Sequence, residues 1–207
     1  MALYWIFVLL GFVPVSHQAC SCLNDTLLEL RFSGAVQTKI LNAHNTLRSQ
    51  IARGLYKSSN GTVFVTATNM LKLIWNATLT NQAAFYSVSC GSGGGAGLSV
   101  FAQPNGSPDT IGTAATTKWA NEFKTYGPMG YVTSAKTREA VSMAWARTQS
   151  VGCAYSMCMN GTQSVTTMVC AYYPVGNAGK QLIYFQGPTC SKCPSGKACV
   201  AASGLCV

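Results

Sequence analysis

Acidic residues are few in this chain. Asp25, Glu29, Asp109, Glu122 and Glu139 are its five carboxylates against 14 lysines and arginines in 207 residues, a net charge of +9. Histidine is scarcer still, with only His17 and His44. A Ser-His-Asp arrangement would have to take His44 as its base and Asp25 or Asp109 as its orienting acid. A zinc centre needs three or four His, Cys or carboxylate ligands, and this inventory is poorly stocked for one. The glycine-rich run at 91–97 lacks the Lys-Ser/Thr ending of a phosphate-binding loop and is not framed by a strand and a helix. No run after the N-terminus has the length of a membrane-spanning helix, and no internal repeat is visible.

The apolar run at 1–15, followed by Ser16-His17-Gln18-Ala19, reads as a secretory signal peptide ending at residue 19. The mature chain is therefore expected to be secreted and extracellular, with His44 as its one histidine. Ten cysteines follow that point: Cys20, Cys22, Cys90, Cys153, Cys158, Cys170, Cys190, Cys193, Cys199 and Cys206. An even count in an exported chain argues for five disulfides whose pairing the sequence leaves open. A zinc knuckle at Cys190-x2-Cys193 is disfavoured, because thiols are oxidised outside the cell. Sequons at Asn24, Asn60, Asn76 and Asn160 suit passage through the secretory pathway, with a fifth at Asn105 weakened by Pro108. A cationic exported protein is drawn to sulfated glycans, anionic lipid or acidic receptor surfaces. Nucleic acid is excluded by the scattered basic residues and the compartment.

Between 138 and 187, β-branched and aromatic residues cluster in four runs punctuated by Gly and Pro, with Cys153 and Cys170 inside them. These read as neighbouring strands of a disulfide-tied antiparallel sheet. Val36, Ile40, Leu41, Leu47 and Ile51 recur at helical spacing over 35–52, and Gly54 closes that helix. A short helix capped by Asn24-Asp25-Thr26 precedes it. Two further helices are expected over 77–90, with Leu79, Ala83, Tyr86 and Cys90 as its stripe, and over 110–126, with Ile111, Ala115, Trp119 and Phe123. The polar stretch 56–68 reads as a surface loop and Trp75 as a core plug. Past Gly187, Cys190-x2-Cys193-x5-Cys199-x6-Cys206 forms a compact, basic tail.

Three sets of residues carry a resemblance. They are His44-Asn45-x-x-Arg48; Met70-x-x-Leu73-x-Trp75-Asn76-x-x-Leu79; and Trp145 with Gly152-Cys153 followed by Val169-Cys170-Ala171-Tyr172-Tyr173-Pro174-Val175-Gly176-Asn177. Together they resemble the CAP superfamily (cysteine-rich secretory, antigen 5, pathogenesis-related 1). The cysteine-rich end is most similar to the nematode Ancylostoma-secreted or venom-allergen-like group. The resemblance implies an α+β fold, a three-layer α-β-α sandwich around a central antiparallel sheet, as a domain over 20–187 with a hinge-like tail over 188–207. It implies that His44, Asn45 and Arg48 form a structural network between helix and sheet.

The family's cleft commonly holds two histidines and two glutamates able to bind a divalent metal. Here no histidine lies at 90–95, Ala96 stands near one glutamate position, Glu122 keeps the other, and Glu139 stands where the second histidine is usual. Glu122 and Glu139 alone make a poor cage, so no cofactor is expected, and both should pair with Arg138, Lys118 or water. The resemblance thus implies a non-enzymatic parasite protein that engages a host receptor or glycosaminoglycan on immune or haemostatic cells. The alternative is a carrier of sterol or fatty acid, for which Phe123, Tyr126, Met129 and Tyr131 form an aromatic-rich candidate loop.

Overall fold

The structure, a computed structural model, describes residues 21–22, 30–88, 95, 97–160, 162–176 and 181–207. In chain order the elements are β1 (Ser21–Cys22), α1 (Gly34–Ala52), β2 (Ile74–Trp75), α2 (Ala77–Ser87), β3 (Leu98–Pro104) and α3 (Pro108–Tyr126). A 3-10 turn (Met129–Tyr131), α4 (Arg138–Ala144), β4 (Ser150–Asn160), β5 (Gln163–Tyr173), β6 (Cys199–Val200) and β7 (Leu205–Cys206) complete it. The main sheet runs β1-β4-β5-β3 and is antiparallel along that path. The two-residue β2 joins β4 in parallel.

Two-residue alternation in β4 and β5 sorts the molecule into three layers. Val151 and Cys153 of β4, with Met168, Cys170 and Tyr172 of β5, face a core shared with α1, α3 and α4. Ala154, Val169 and Ala171 face the opposite way, onto Leu79, Ala83 and Ala84 of α2. The sheet is thus an α-β-α sandwich, as the motifs implied. Cys153 and Cys170 lie directly opposite in the β4–β5 register and are joined, with Cα atoms 4.1 Å apart.

The outer edge of β4 is covered in sections, which keeps its unpaired backbone groups from templating another strand. β1 pairs with Cys158 and Met159, Arg31 bridges to Ala154, and β2 pairs with Ser150 and Val151. Two glycines of the C-terminal motifs owe their identity to close approach. A Cβ on Gly152 would fall 2.3 Å from the Thr80 nitrogen and 2.4 Å from the Asn76 oxygen, so only glycine lets the start of α2 rest on β4. A Cβ on Gly176 would lie 2.2 Å from Cγ of Trp145.

Several expectations are corrected. Only two of the four runs over 138–187 are long strands. The first run, 144–148, is no strand: Ala144 ends α4, whose first turn is capped from another helix, and 145–149 is the irregular link into β4. Residues 182–187 meet the body through isolated bridges at Leu182 and Gln186. The helix expected over 77–90 ends at Ser87, while Cys90 and the helix expected at Asn24 lie outside the described residues. The stretch 56–68 is no surface loop throughout. Phe64 is 1% exposed, packed against Tyr56, Phe123 and Tyr131 at centroid distances of 5.0, 5.2 and 6.2 Å. Trp75 is only partly buried.

The tail is pinned to the body. Cys190–Cys199 and Cys193–Cys206 are bonded, and Cys206 exchanges backbone hydrogen bonds with Lys72 and Met70. Cys158 is also disulfide-bonded; Cys20 and Cys90 lie outside the described residues, as does the Cys22 side chain. The sulfurs of Cys190, Cys193 and Cys206 gather within 4.8 Å of one another, but each belongs to a disulfide and offers no thiolate to a metal.

Candidate functional site

The polar interior begins on α1. His44 and Arg48, one helical turn apart, are fully buried on its sheet-facing side. Arg48 spends all five guanidinium donors on backbone carbonyls. Nε donates to Leu71 (2.8 Å), Nη1 to Met143 (3.1 Å) and Trp145 (2.8 Å), and Nη2 to Ala146 and Thr148 (both 3.2 Å). The planar fork thereby binds the irregular chain from α4 into β4, where sheet and helix ladders supply no donors. Burial lowers its pKa to about 9, so the cation is held by carbonyl dipoles without a carboxylate. Asn45 ties in the neighbouring segment, donating to the Leu73 carbonyl at 3.0 Å and accepting from the Leu73 amide at 2.8 Å.

His44 is spent in the same way. Its Nδ1 lies 2.8 Å from the Ile40 carbonyl, which makes Nδ1 the protonated nitrogen, and its Nε2 lies 3.0 Å from the Tyr172 hydroxyl, which donates to it. Burial lowers the imidazole pKa to about 4, against the raising effect of the Ile40 bond and with a further lowering by Arg48. Burial likewise raises the Tyr172 hydroxyl far above its usual range. A neutral imidazole with both nitrogens engaged is a structural cross-tie and has no free lone pair for a proton transfer or a metal.

Glu122 and Glu139 do come together at the cleft, by different routes. Glu122, on α3, accepts the backbone amides of Glu139 and Ala140, each at 2.9 Å, and so caps the first turn of α4. Thr137 stands at the N-cap itself but makes no capping bond, so the cap comes from another helix. Glu139 pairs with Arg138 through Oε1, while its Oε2 is buried with no hydrogen-bond partner among the described residues. Burial raises both carboxyls, and for Glu122 the Ala140 amide pulls back while the Glu139 charge adds to the rise. Ser99 Oγ lies near enough for its hydroxyl, as a hydrogen-bonding neighbour, to lower both Glu139 and Tyr172, yet it meets neither in an aligned hydrogen bond. Lys118, named as a partner on sequence grounds, forms no ion pair with either glutamate.

The donor set does not fit a resident transition metal. Glu122 is committed to a helix end and Glu139 to an arginine through one oxygen, which leaves Glu139 a single carboxylate oxygen. The one nearby imidazole has both nitrogens occupied, and the described cysteines are oxidised. No serine or aspartate is hydrogen-bonded to His44, so the imidazole is not the base of a nucleophile-base pair.

The remaining predicted residues divide by burial. In the aromatic-rich stretch Phe123 is wholly buried and Tyr131 packs edge-on to Tyr184 at 5.3 Å, so both serve the core. Tyr126 and Met129 are exposed, with the Lys136 ammonium 5.4 Å from the Tyr126 ring. The trough between α1 and α3, of about 320 Å³, is lined mostly by polar side chains such as Thr46, Gln50, Thr117 and Asn121. Among the sequons, Asn60 is exposed in a turn where its Oδ1 accepts from Ser58 and from the Thr62 amide. Asn76 is the N-cap of α2, accepting from Thr78 at 2.8 Å and Leu79 at 3.3 Å. Asn24 and the Asn160 side chain lie outside the described residues. Sequence reasoning missed the capping roles of Asn76 and Glu122; Asn76 before a helical pattern was a readable signal, and Glu122, 17 residues before its partner, was not.

Comparison with known proteins follows the same lines. The family model described as "CAP: Cysteine-rich secretory protein family" matches residues 41–172. The Ancylostoma secreted protein of Ancylostoma caninum is 29% identical over 94% of this chain and 48% of its own length, so the chain spans about half of that curated relative. Among solved structures, BmVAL-1 superposes with a TM-score of 0.74 at 30% identity, covering 85% of this chain and 95% of its own. NaASP2, crystallised with Zn2+, gives a TM-score of 0.73 at 25% identity, covering 85% of this chain and 97% of its own.

Proposed function

Because the chain belongs to the cysteine-rich secretory protein family (CAP), we propose that it is a secreted, non-enzymatic parasite protein that acts by binding a receptor on host immune or haemostatic cells. The observation that carries this reading is the state of His44. The imidazole that chemistry would need is sealed under α1 with both nitrogens bonded, beside a glutamate pair occupied in capping and ion pairing. What the molecule offers to other molecules is its exterior, a surface with a +9 surplus of charge on a disulfide-braced frame. The curated relatives, a secreted protein of Ancylostoma caninum and a venom allergen of Vespula pensylvanica, support export and a role outside the cell. Among the described residues no helix is long and apolar enough to cross a membrane. The zinc of the NaASP2 structure is a property of that protein.

The test is capture. The glycosylated protein, immobilised and exposed to detergent extracts of leukocyte and platelet membranes, should retain a discrete surface protein at 0.15 M and at 0.5 M salt. Retention that fades uniformly as salt screens the charges would mean non-specific cationic adhesion and would end the receptor reading.

A further inference from the structure

We infer that the groove between the body and the cysteine-rich tail binds a small anionic amphiphile, a carboxylate, sulfate or phosphate headgroup on an apolar body. The groove encloses about 500 Å³, within the size range of small-molecule sites. Arg147, Lys192 and Lys197 line it, and no carboxylate does. Its walls include Leu71, Pro174, Phe185 and Pro194. Among the described residues none of the three cations forms an ion pair. Three like charges around one hollow repel each other, and an anionic headgroup placed among them removes that repulsion. An apolar wall beside the cations covers the rest of the ligand.

The groove is built before any ligand arrives. The Lys192 amide donates to the Thr68 carbonyl at 2.9 Å and the Cys190 amide to the Ala67 carbonyl at 3.3 Å. Lys192 and Lys197 both lie inside the loop closed by Cys190–Cys199, and Cys193–Cys206 crosses it. Ordering cost on binding is therefore small for the backbone that bears the lysines. On the opposite wall the Arg147 guanidinium sits 5.6 Å from the centroid of the Phe185 ring. A second hollow of about 270 Å³ shares Asn69, Arg147 and Phe185 and continues past Trp145 and Leu182, giving an apolar chain room to extend. The inference stands apart from the receptor reading, from the Glu122–Glu139 cleft and from the aromatic stretch after α3.

Isothermal titration of the full-length, oxidised protein with decanoate, decyl sulfate, decyl phosphate, decanol and decyltrimethylammonium tests it. One decanoate or decyl sulfate or phosphate should bind per chain, at least tenfold more tightly than decanol and with no binding of the cation; the three anions rank the headgroups. The triple variant Arg147→Gln/Lys192→Gln/Lys197→Gln should lose at least tenfold in affinity. Lys39→Gln/Lys118→Gln/Lys136→Gln, which removes the same charge elsewhere, should lose less than twofold. All these side chains are exposed or peripheral, so unchanged melting curves will show that folding is intact. Equal losses in the two variants, or no anion bound by the wild type, would overturn the proposal. So would retention of a sulfated oligosaccharide by the groove cations with no decyl anion held.

Discussion

Arg48 and His44 show how much of the interior depends on two side chains. Lysine offers three donors on a flexible stem where arginine offers five in a plane. Arg48→Lys therefore leaves at least two of the carbonyls of Leu71, Met143, Trp145, Ala146 and Thr148 without a donor. It should cost more than about 2 kcal/mol, read as a lower urea midpoint; an unchanged midpoint would show that the carbonyls are satisfied by other means. For His44 the sign follows from a folded pKa of about 4 beneath an ordinary value of 6.5. Above pH 6.5 the ring is neutral in both states and contributes no slope. Between pH 6.5 and 4 the unfolded chain takes up a proton that the fold refuses, so stability falls with acidification, by about 3 kcal/mol from this group. The raised carboxyls of Glu122 and Glu139 act oppositely, since the fold binds their protons more readily than the unfolded chain does. Urea unfolding across this range should accordingly show a steeper acid loss in Glu139→Gln than in the wild type. An unchanged slope would mean that Glu139 binds its proton equally in both states, and a shallower loss that the fold lowers its carboxyl.

At the scale of elements, helix ends and glycine contacts decide the joints. Asn76 caps α2 with its Oδ1, a role either Asn or Asp performs. Asn76→Asp should leave the melting temperature within a degree or two, whereas Asn76→Ala should lower it by about 2–4 °C, the equivalent of about 1 kcal/mol in a chain of this size. Both changes remove the sequon alike, so a glycan effect would move both and a capping effect only one. At Gly152 the obstacle to a side chain is backbone, the Thr80 nitrogen and Asn76 oxygen, and cannot swing aside. Gly152→Ala should force α2 off β4 and cost about 1–3 kcal/mol or more; a melting temperature within a degree of wild type would contradict the close contact.

For the whole molecule the central fact is the distribution of charge and rigidity. The three cations of the tail groove come from the start of β4's approach and from two separate turns of the tail, brought together by the two tail disulfides and the pairing of Cys206 with Met70 and Lys72. Mild reduction should open Cys190–Cys199, which has no buried end, ahead of Cys193–Cys206, buried at Cys206. It should leave Cys153–Cys170 intact, because both of its cysteines are sealed in the core between β4 and β5. The body should keep its melting transition while decanoate binding is lost. Simultaneous loss of both would show that the tail is part of the folding unit.

Helical stripes, the β4–β5 pair, the oxidised tail and the cationic surplus were all legible in the residues, because each depends on local periodicity or on counting. Ile111, Ala115, Trp119 and Phe123 needed only their four-residue spacing to be placed inside, and they are. The identity of 138–144 as a helix was not legible, because its cap comes from Glu122 on α3. Nor was the burial of Phe64, whose partners Phe123 and Tyr131 lie about 60 residues on. The four carbonyls that hold Arg48 beyond Leu71 stand 95, 97, 98 and 100 positions away, and nothing near Arg48 in the chain announces them. Composition determined that this protein would be positively charged and short of catalytic groups. Tertiary structure alone decided which charges share a groove and which polar groups are used up inside, since both depend on contacts between residues far apart in the chain.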